Sequence, residues 1–205
     1  MKFVDEWRRR KYAAFDLTRT STAQKAVEFS LAGTPVRVYA NANLSIYSAQ
    51  TCNAKCAFCV EELRPASRGT ELTRQKVVEQ NDAVYFEKMA RTLRDLKPLN
   101  PSVSVTGGEP SKDPRLPTIL KTLAEHGARK RTMTTNASGL LDVHEGHTNL
   151  DWLIDTRVQH LNISRAHPEC ATNAKLMALP DGLSLENLRH VVARAKDGGI
   201  NVRLS

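Results

Sequence analysis

The sequence predicts an α/β protein in which a parallel sheet carries helices on its outer face. Runs rich in β-branched residues alternate with stretches of helical periodicity, and this alternation repeats roughly four times. No Gly/Ser/Pro-rich linker and no short repeat interrupts the 205 residues, which indicates one domain. Five strands of this kind form either an open sheet or an incomplete barrel. Such folds hold their binding sites in the loops at the carboxyl ends of the strands.

The first part of the chain, 1–43, is interpreted as a helical and hairpin extension that precedes the sheet. A helix is expected to start at Ser21 or Thr22 and to end at Leu31, because a glycine and a proline follow. The segments VRVYA and LSIYSAQ flank the turn residues NAN, and this pattern indicates a β-hairpin. The second segment also leads directly into a cysteine-rich loop, so the core is predicted to comprise 44–205.

The core is predicted to continue with a long helix and then with strands and helices in alternation. The long helix is expected to begin at Thr70 or Thr73 and to stop before Pro98. The later strands are SVSVTGG, RKRTMTT, RVQHLNISR and INVRLS. The helices between them are expected to begin at Pro114, to cover 150–155 and to cover LENLRHVVARAK. The loops TGGEP, TTNASG and SRAHPE therefore share one rim with the cysteine loop.

Composition limits the partners and the location of the protein. The formal net charge of +8 favours anionic substrates or acidic proteins. Aromatic residues make up only 5%, and no basic stripe is interleaved with them, so nucleic-acid binding is not supported. No apolar run approaches the ~20 residues that span a bilayer, and the amino-terminal segment lacks the apolar core of a signal peptide. We therefore expect a cytoplasmic protein whose thiols stay reduced.

Three of the four cysteines, Cys52, Cys56 and Cys59, form the pattern CxxxCxxC. An odd number argues against disulfides, and a closed zinc site would need a fourth ligand. Cys170 and the histidines of HEGH at 144–147 are candidates, but they supply no matching second pair of cysteines. A cubic 4Fe–4S cluster takes one thiolate per iron, so three thiolates would leave one iron with an open position. This reasoning does not decide between a zinc site and an iron–sulfur cluster.

The loop TGGEP follows the second core strand. Gly107 and Gly108 would let the backbone approach a ligand closely, since neither residue has a Cβ. A plain turn between a strand and a helix accounts for the same residues. The spacing from the cysteines favours the binding role.

Together these motifs resemble the signature of the radical S-adenosylmethionine superfamily, and the resemblance covers 44–205. CxxxCxxC with Phe58 before the last cysteine is similar to the cluster loop of that family. TGGEP is similar to its GGE-type motif, and TTNASG to its Thr-Asn-Gly-type turn. The motif order is closest to the branch that contains viperin and the molybdenum-cofactor cyclase. The implied fold is a partial parallel (β/α) barrel of the radical SAM type.

The resemblance implies two sets of ligands. The cluster would be bound by Cys52, Cys56 and Cys59. Contacts to S-adenosylmethionine would come from Phe58, Gly107, Gly108, Glu109, Thr134, Thr135, Asn136, Ser164 and Arg165. Glu109 would hold the amino group of the methionine moiety, and Arg165 could pair with its carboxylate. A turn or surface role remains open for the residues after the third and fourth strands.

The resemblance also implies an activity. Such an enzyme reductively cleaves S-adenosylmethionine at its 4Fe–4S cluster to methionine and a 5′-deoxyadenosyl radical, which abstracts hydrogen from a substrate. We expect a small, anionic substrate and a flavodoxin- or ferredoxin-type electron donor, because the chain is basic. The alternative is a non-catalytic scaffold protein that binds zinc or a structural iron–sulfur cluster.

The sequence departs from the family at its carboxyl end. The partial barrel of the family usually has six βα units, whereas five strands are predicted here, so the barrel is expected to be incomplete. An uncovered sheet edge would remain. Three explanations are open: a truncated chain, which we favour, a strand supplied by a partner chain, or closure of the sheet by 36–40.

Overall fold

The computed structural model of the protein describes residues 26–31, 33–39, 43–49, 51–59 and 78–205. Predictions that concern 1–25 and 60–77 therefore lie outside the described residues. No helix in the described part of the chain is both long enough and apolar enough to cross a bilayer.

The described elements alternate between strands and helices. In chain order they are β1 (Ala26–Leu31), β2 (Thr34–Tyr39), β3 (Asn43–Ala49), α1 (Asp82–Asp95), β4 (Ser102–Gly107), α2 (Leu116–Glu125), β5 (Lys130–Thr135), β6 (Val143–His144), β7 (His147–Thr148), α3 (Asn149–Asp155), β8 (His160–Ile163), α4 (Cys170–Met177), α5 (Leu185–Asp197) and β9 (Asn201–Leu204). Five of the strands pair in parallel in the order β3-β4-β5-β8-β9, and the other four form two separate hairpins. The predicted parallel sheet of five strands is confirmed.

Alternate residues of the strands point towards the helices and form the core. Val103 and Val105 of β4, Met133 of β5, and Leu161 and Ile163 of β8 are buried. They belong to one cluster with the apolar face of α2, which consists of Leu116, Ile119, Leu120 and Leu123. Burial of each such side chain contributes roughly 1.5–3 kcal/mol. This packing holds the strand ends, and the loops that follow them, in a fixed relation.

The intervening residues point to the other side of the sheet, which we call the open face. It consists of Asn43, Ser45, Tyr47, Ser102, Ser104, Thr106, Lys130, Thr132, Thr134, His160, Asn162, Asn201 and Arg203. These side chains are half-buried or exposed, and every one of them can form hydrogen bonds. A parallel sheet is usually covered on both faces by apolar contacts, so a wholly polar second face is unusual.

The hairpin before the core pairs different strands from those that were predicted. Residues 26–31 form β1 rather than the end of a helix, and β1 pairs antiparallel with β2 around Gly33. Gly33 has a φ of +84°, a left-handed conformation that glycine adopts without strain in a tight turn. β3 pairs in parallel with β4 instead. The predicted helix up to Leu31 and the predicted hairpin around NAN are therefore wrong, and 36–39 does not close the central sheet.

Two helices differ from the predicted boundaries. The predicted long helix is interrupted, because 78–80 are not helical and α1 begins at Asp82. The side chain of Asn81 accepts a hydrogen bond from the amide of Val84 and caps the first turn. The expected start at Thr70 or Thr73 lies outside the described residues. α4 was expected to be part of a loop. Its sequence, CATNAKLM, has no periodic apolar face, so no sequence pattern predicts this helix. The HEGH segment, also expected as a loop, forms the short β6–β7 hairpin.

α3 begins with a capping box in which Thr148 and Asp151 exchange hydrogen bonds. Arg194 of α5 also donates from Nε to the carboxylate of Asp151, at 3.1 Å. The hydrogen bonds from Thr148 and Arg194 lower the pKa of Asp151 to about 2. The ionised carboxylate thus links the start of α3 to α5.

We expect Asp151→Asn to lower the free energy of unfolding by roughly 1 kcal/mol at neutral pH, because the capping box and the contact with Arg194 both weaken. The folded-state pKa lies below the ordinary value of 3.8, so the contribution is complete above that value and is lost as the pH falls through about 2. Urea unfolding of both proteins across this range measures the difference. A difference that is equally large at neutral pH and at the acid end would contradict the assignment.

Candidate cluster and cofactor site

A cavity of about 280 Å³ lies at the carboxyl rim of the central sheet, where the loops after β3, β4, β5 and β8 meet. Its lining includes every predicted site residue except one: Cys52, Cys56, Phe58, Cys59, Gly107, Gly108, Glu109, Thr134, Thr135, Asn136 and Ser164. These residues come together because all parallel strands of a sheet end at the same edge. The predicted convergence of four loops on one rim is thus present in the structure.

Arg165 is the exception, since it does not belong to the cavity lining. Its Nη2 donates to the carbonyl of Pro168 at 2.9 Å and lies 3.2 Å from Sγ of Cys170. The guanidinium group therefore stabilises its own loop in this structure. Its contact with the carboxylate of a ligand stays a prediction.

The three clustered cysteines present their thiols from one short loop. All four cysteines of the chain lie in the described residues, and none of them forms a disulfide. The amide of Ala54 donates to Sγ of Cys52 at 3.4 Å, and the amide of Cys59 donates to the carbonyl of Cys56 at 2.9 Å. The first hydrogen bond places an amide donor at the sulfur of Cys52, and the second closes a turn between Cys56 and Cys59.

This donor set fits an iron–sulfur cube better than a single metal ion. Within the described part of the chain, no three side chains of His, Cys, Asp or Glu are arranged to hold one ion. A cube takes one thiolate at each iron, so its ligands surround a volume and need not converge on a point. All three thiols face the same cavity, and thiolates are the usual ligands of iron–sulfur clusters.

The carboxylate of Glu109 is 2% exposed and joins the loop after β4 to the loop after β5. Its Oε1 accepts hydrogen bonds from the amide of Ser111 at 2.9 Å, from Oγ of Ser111 at 2.6 Å and from Oγ1 of Thr135. Its Oε2 accepts from the amide of Asn136 at 2.7 Å. These donors compensate for much of the desolvation of the carboxylate and fix its orientation at the edge of the cavity.

The charge of Glu109 has no cationic partner within the described residues, although buried carboxylates are usually paired. A carboxylate has about four lone-pair positions, and the one hydrogen bond that Oε2 accepts from the described residues leaves at least one of them available. Since Glu109 lines the cavity, a cationic group of a ligand can supply the missing positive charge. The arrangement suits an ammonium group.

Position 108 needs a glycine because the backbone of the cysteine loop packs against it. A Cβ at this position would lie 1.9 Å from the carbonyl oxygen of Thr51, far inside van der Waals contact. The amide of Glu109 donates to the same carbonyl at 3.0 Å. In the structure Gly108 lines the cavity and also leaves room for the backbone that precedes Cys52, whereas its contact with a ligand stays a prediction.

A side-chain network ties the cysteine loop to the loop after β5. Asn53 donates from Nδ2 to Oγ of Ser138 at 3.0 Å, and its Oδ1 accepts from Nδ2 of Asn136 at 2.9 Å. Both amide positions of Asn136 are engaged, since its Oδ1 also accepts from the amide of Ser138. Sequence reasoning missed Asn53 and Ser138, although the position of Asn53 inside the cysteine motif is the one signal that singles it out.

α4 also contacts the cysteine loop, in addition to the loops that follow β4 and β5. The amide of Lys55 donates to the carbonyl of Met177 at 2.9 Å, and Sγ of Cys56 lies 3.7 Å from the same oxygen. Ala54 packs in a small apolar cluster with Met177 and Leu179. The cysteine loop is therefore held by segments that follow β4, β5 and β8.

The other metal candidates do not join this site. His147 stacks on Trp152 with ring centroids 5.0 Å apart, and its Nδ1 lies 3.7 Å from a carboxylate oxygen of Asp155. Neither His144 nor Cys170 lines the cavity. A zinc site that uses them together with the cysteine loop finds no support in this arrangement.

Comparison with known proteins gives a likeness in structure. No family model and no curated protein sequence matches the chain. SuiB of Streptococcus suis, solved in complex with S-adenosylmethionine, matches with a TM-score of 0.56 and 20% identity. The match covers 82% of this chain and 33% of SuiB, so the chain spans about a third of its relative. SuiB bound to the precursor peptide SuiA gives the same values.

A weaker match is anSMEcpe with bound AdoMet, at 16% identity and a TM-score of 0.49, over 79% of this chain and 43% of anSMEcpe. At such identities the likeness establishes the fold, which is the partial parallel (β/α) barrel predicted from the sequence. The match to SuiB does not bear on the predicted nearness to viperin and the molybdenum-cofactor cyclase, which stays a prediction.

We expect Gly108→Ala to lower the free energy of unfolding by at least about 2 kcal/mol, because the new methyl group forces the cysteine loop away from β4. Gly182→Ala is the matched control, since its Cβ would approach Leu179 no closer than 3.4 Å, an ordinary van der Waals contact. Chemical unfolding of the two variants measures the effect. Equal stability of the two variants would show that the loop moves aside without cost, against the contact described here.

Proposed function

We propose that this chain is a radical S-adenosylmethionine enzyme. The observation that carries the proposal is a single cavity lined both by three cysteine thiols and by a buried carboxylate without a cationic partner in the described residues. Three thiolates leave one iron of a 4Fe–4S cluster open, and an unpaired carboxylate beside that position suits the ammonium group of S-adenosylmethionine. The likeness of the fold to SuiB supports the same conclusion.

Cys52, Cys56 and Cys59 would hold the cluster. Glu109 would accept a hydrogen bond from the methionyl ammonium group through Oε2, and the peptide groups at Gly107 and Gly108 would lie against the methionine moiety. Thr134 and Ser164 lie on the same cavity wall and offer hydroxyl groups for the carboxylate or the ribose. When bound, the reduced cluster supplies the electron that cleaves S-adenosylmethionine to methionine and a 5′-deoxyadenosyl radical.

The remaining residues of the site would orient the cofactor and exclude water. Phe58 is 49% exposed at the cavity wall, so its ring is available to cover a bound nucleoside. The hydrogen bonds of Glu109, Asn53 and Asn136 hold the loops together and would keep them in place around a bound cluster. A rigid, preorganised site is what controlled radical chemistry requires.

The basic composition supports an acidic electron donor of the flavodoxin or ferredoxin type, acting in the cytoplasm. The alternative is a non-catalytic protein that binds zinc or a structural cluster. That alternative gives no role to the charge of Glu109, which has no cationic partner among the described residues, so we favour the enzyme.

The test is anaerobic purification followed by reduction with dithionite in the presence of S-adenosylmethionine. We expect about four irons per chain and release of 5′-deoxyadenosine, detected by mass spectrometry. Cys56→Ala should abolish the product, and Cys170→Ala should retain it, because Cys170 lies outside the cavity.

Thermal unfolding of both variants establishes that they remain folded. Colourless protein that contains zinc would favour the scaffold alternative. Product formation by folded Cys56→Ala would reject the ligand assignment.

A further inference from the structure

The open face of the central sheet leads directly away from the cysteine cavity. Thr106 and Thr134 belong to both surfaces, since they are open-face residues and also line the cavity. Consecutive open-face residues of one strand lie about 7 Å apart. The face therefore extends for more than 10 Å from the cavity, roughly the length of a small metabolite.

Residues of neighbouring strands form rows across this face. Thr134 is in register with Asn162, which is in register with Arg203, and Nδ2 of Asn162 lies 3.4 Å from Oγ1 of Thr134. The next row, farther from the cavity, contains His160. Lys130 lies at the far end. Each row contains hydroxyl or amide groups. A basic side chain lies in the same row or in the next one.

The charges on this face have one sign. The five strands described here contain no aspartate or glutamate. Within the described part of the chain, neither Lys130 nor Arg203 forms an ion pair. Burial and the nearby charge of Lys130 lower the pKa of His160, so Lys130 and Arg203 carry the positive charge at neutral pH.

We propose that the open face binds the substrate, and that the substrate is an anionic, polyhydroxylated small molecule. Its phosphate or carboxylate group would pair with Lys130 or Arg203, and its hydroxyl groups would exchange hydrogen bonds with the serine, threonine and asparagine side chains of the rows. A neutral polyol lacks the charge that this face requires. An apolar side chain of a peptide would leave these polar groups without partners and would bind poorly.

This inference rests on the proposed function for the reaction, because only a radical formed at the cavity would act on a molecule at this position. The binding itself does not depend on turnover. The proposed substrate class can therefore be rejected while the proposed enzyme class is upheld, and the reverse outcome can also occur.

The test measures binding of 6-phosphogluconate to the anaerobically purified protein by calorimetry, with sorbitol as the neutral polyol and N-acetyl-leucinamide as the apolar probe. We expect 6-phosphogluconate alone to bind. Lys130→Gln combined with Arg203→Gln should weaken its binding at least about tenfold. Lys175→Gln combined with Arg189→Gln removes the same charge from exposed positions of α4 and α5 and should leave the affinity within about twofold.

No binding of 6-phosphogluconate, equal affinity in the two double variants, or stronger binding of the apolar probe would each overturn the inference. Release of 5′-deoxyadenosine in the same preparation shows whether the proposed function holds independently. Thermal unfolding confirms that both double variants are folded.

Discussion

The site depends on one buried carboxylate. Glu109 accepts hydrogen bonds from Ser111, Thr135 and Asn136, and thereby joins the loops that follow β4 and β5. Its own amide donates to Thr51, immediately before the first cysteine of the motif. A single residue thus connects the cysteine loop to two neighbouring strands. The cavity has its shape because these loops cannot separate without exposing or orphaning a buried charge.

The same residue gives the cavity its electrostatic character. Its Oε1 accepts three hydrogen bonds from protein donors, whereas Oε2 accepts one within the described residues, and Glu109 lines the same cavity as the three cysteines. A negative charge held this way favours a cationic ligand and also opposes the addition of an electron nearby. The bound sulfonium and ammonium groups of the proposed cofactor would offset this effect. Binding and reduction would therefore be coupled, with the cofactor easing the reduction of the cluster.

Much of this arrangement could be predicted from the sequence, because the relevant signals are local. The thiol spacing and the glycine pair are each defined by a few neighbouring residues, and the strand–helix alternation by neighbouring segments. In the structure the alternation is present, and both motifs line one cavity. The rest depends on contacts between distant segments. Asn53 gains its role through Ser138 and Asn136, and Met177 through Lys55 and Cys56, so these roles depend on residues far away in the sequence. Gly108 also has a second role that only the fold reveals, since a Cβ at this position would meet the backbone of Thr51.

The central claim is a cluster held by three thiolates with its fourth iron open to S-adenosylmethionine. Electron paramagnetic resonance of the dithionite-reduced protein tests it most directly, with spectra recorded before and after addition of the cofactor. Coordination of the open iron changes its electronic environment, so we predict a clear shift in the g-values of the reduced 4Fe–4S signal. An identical spectrum in both samples, from protein that contains the full complement of iron, would contradict the account.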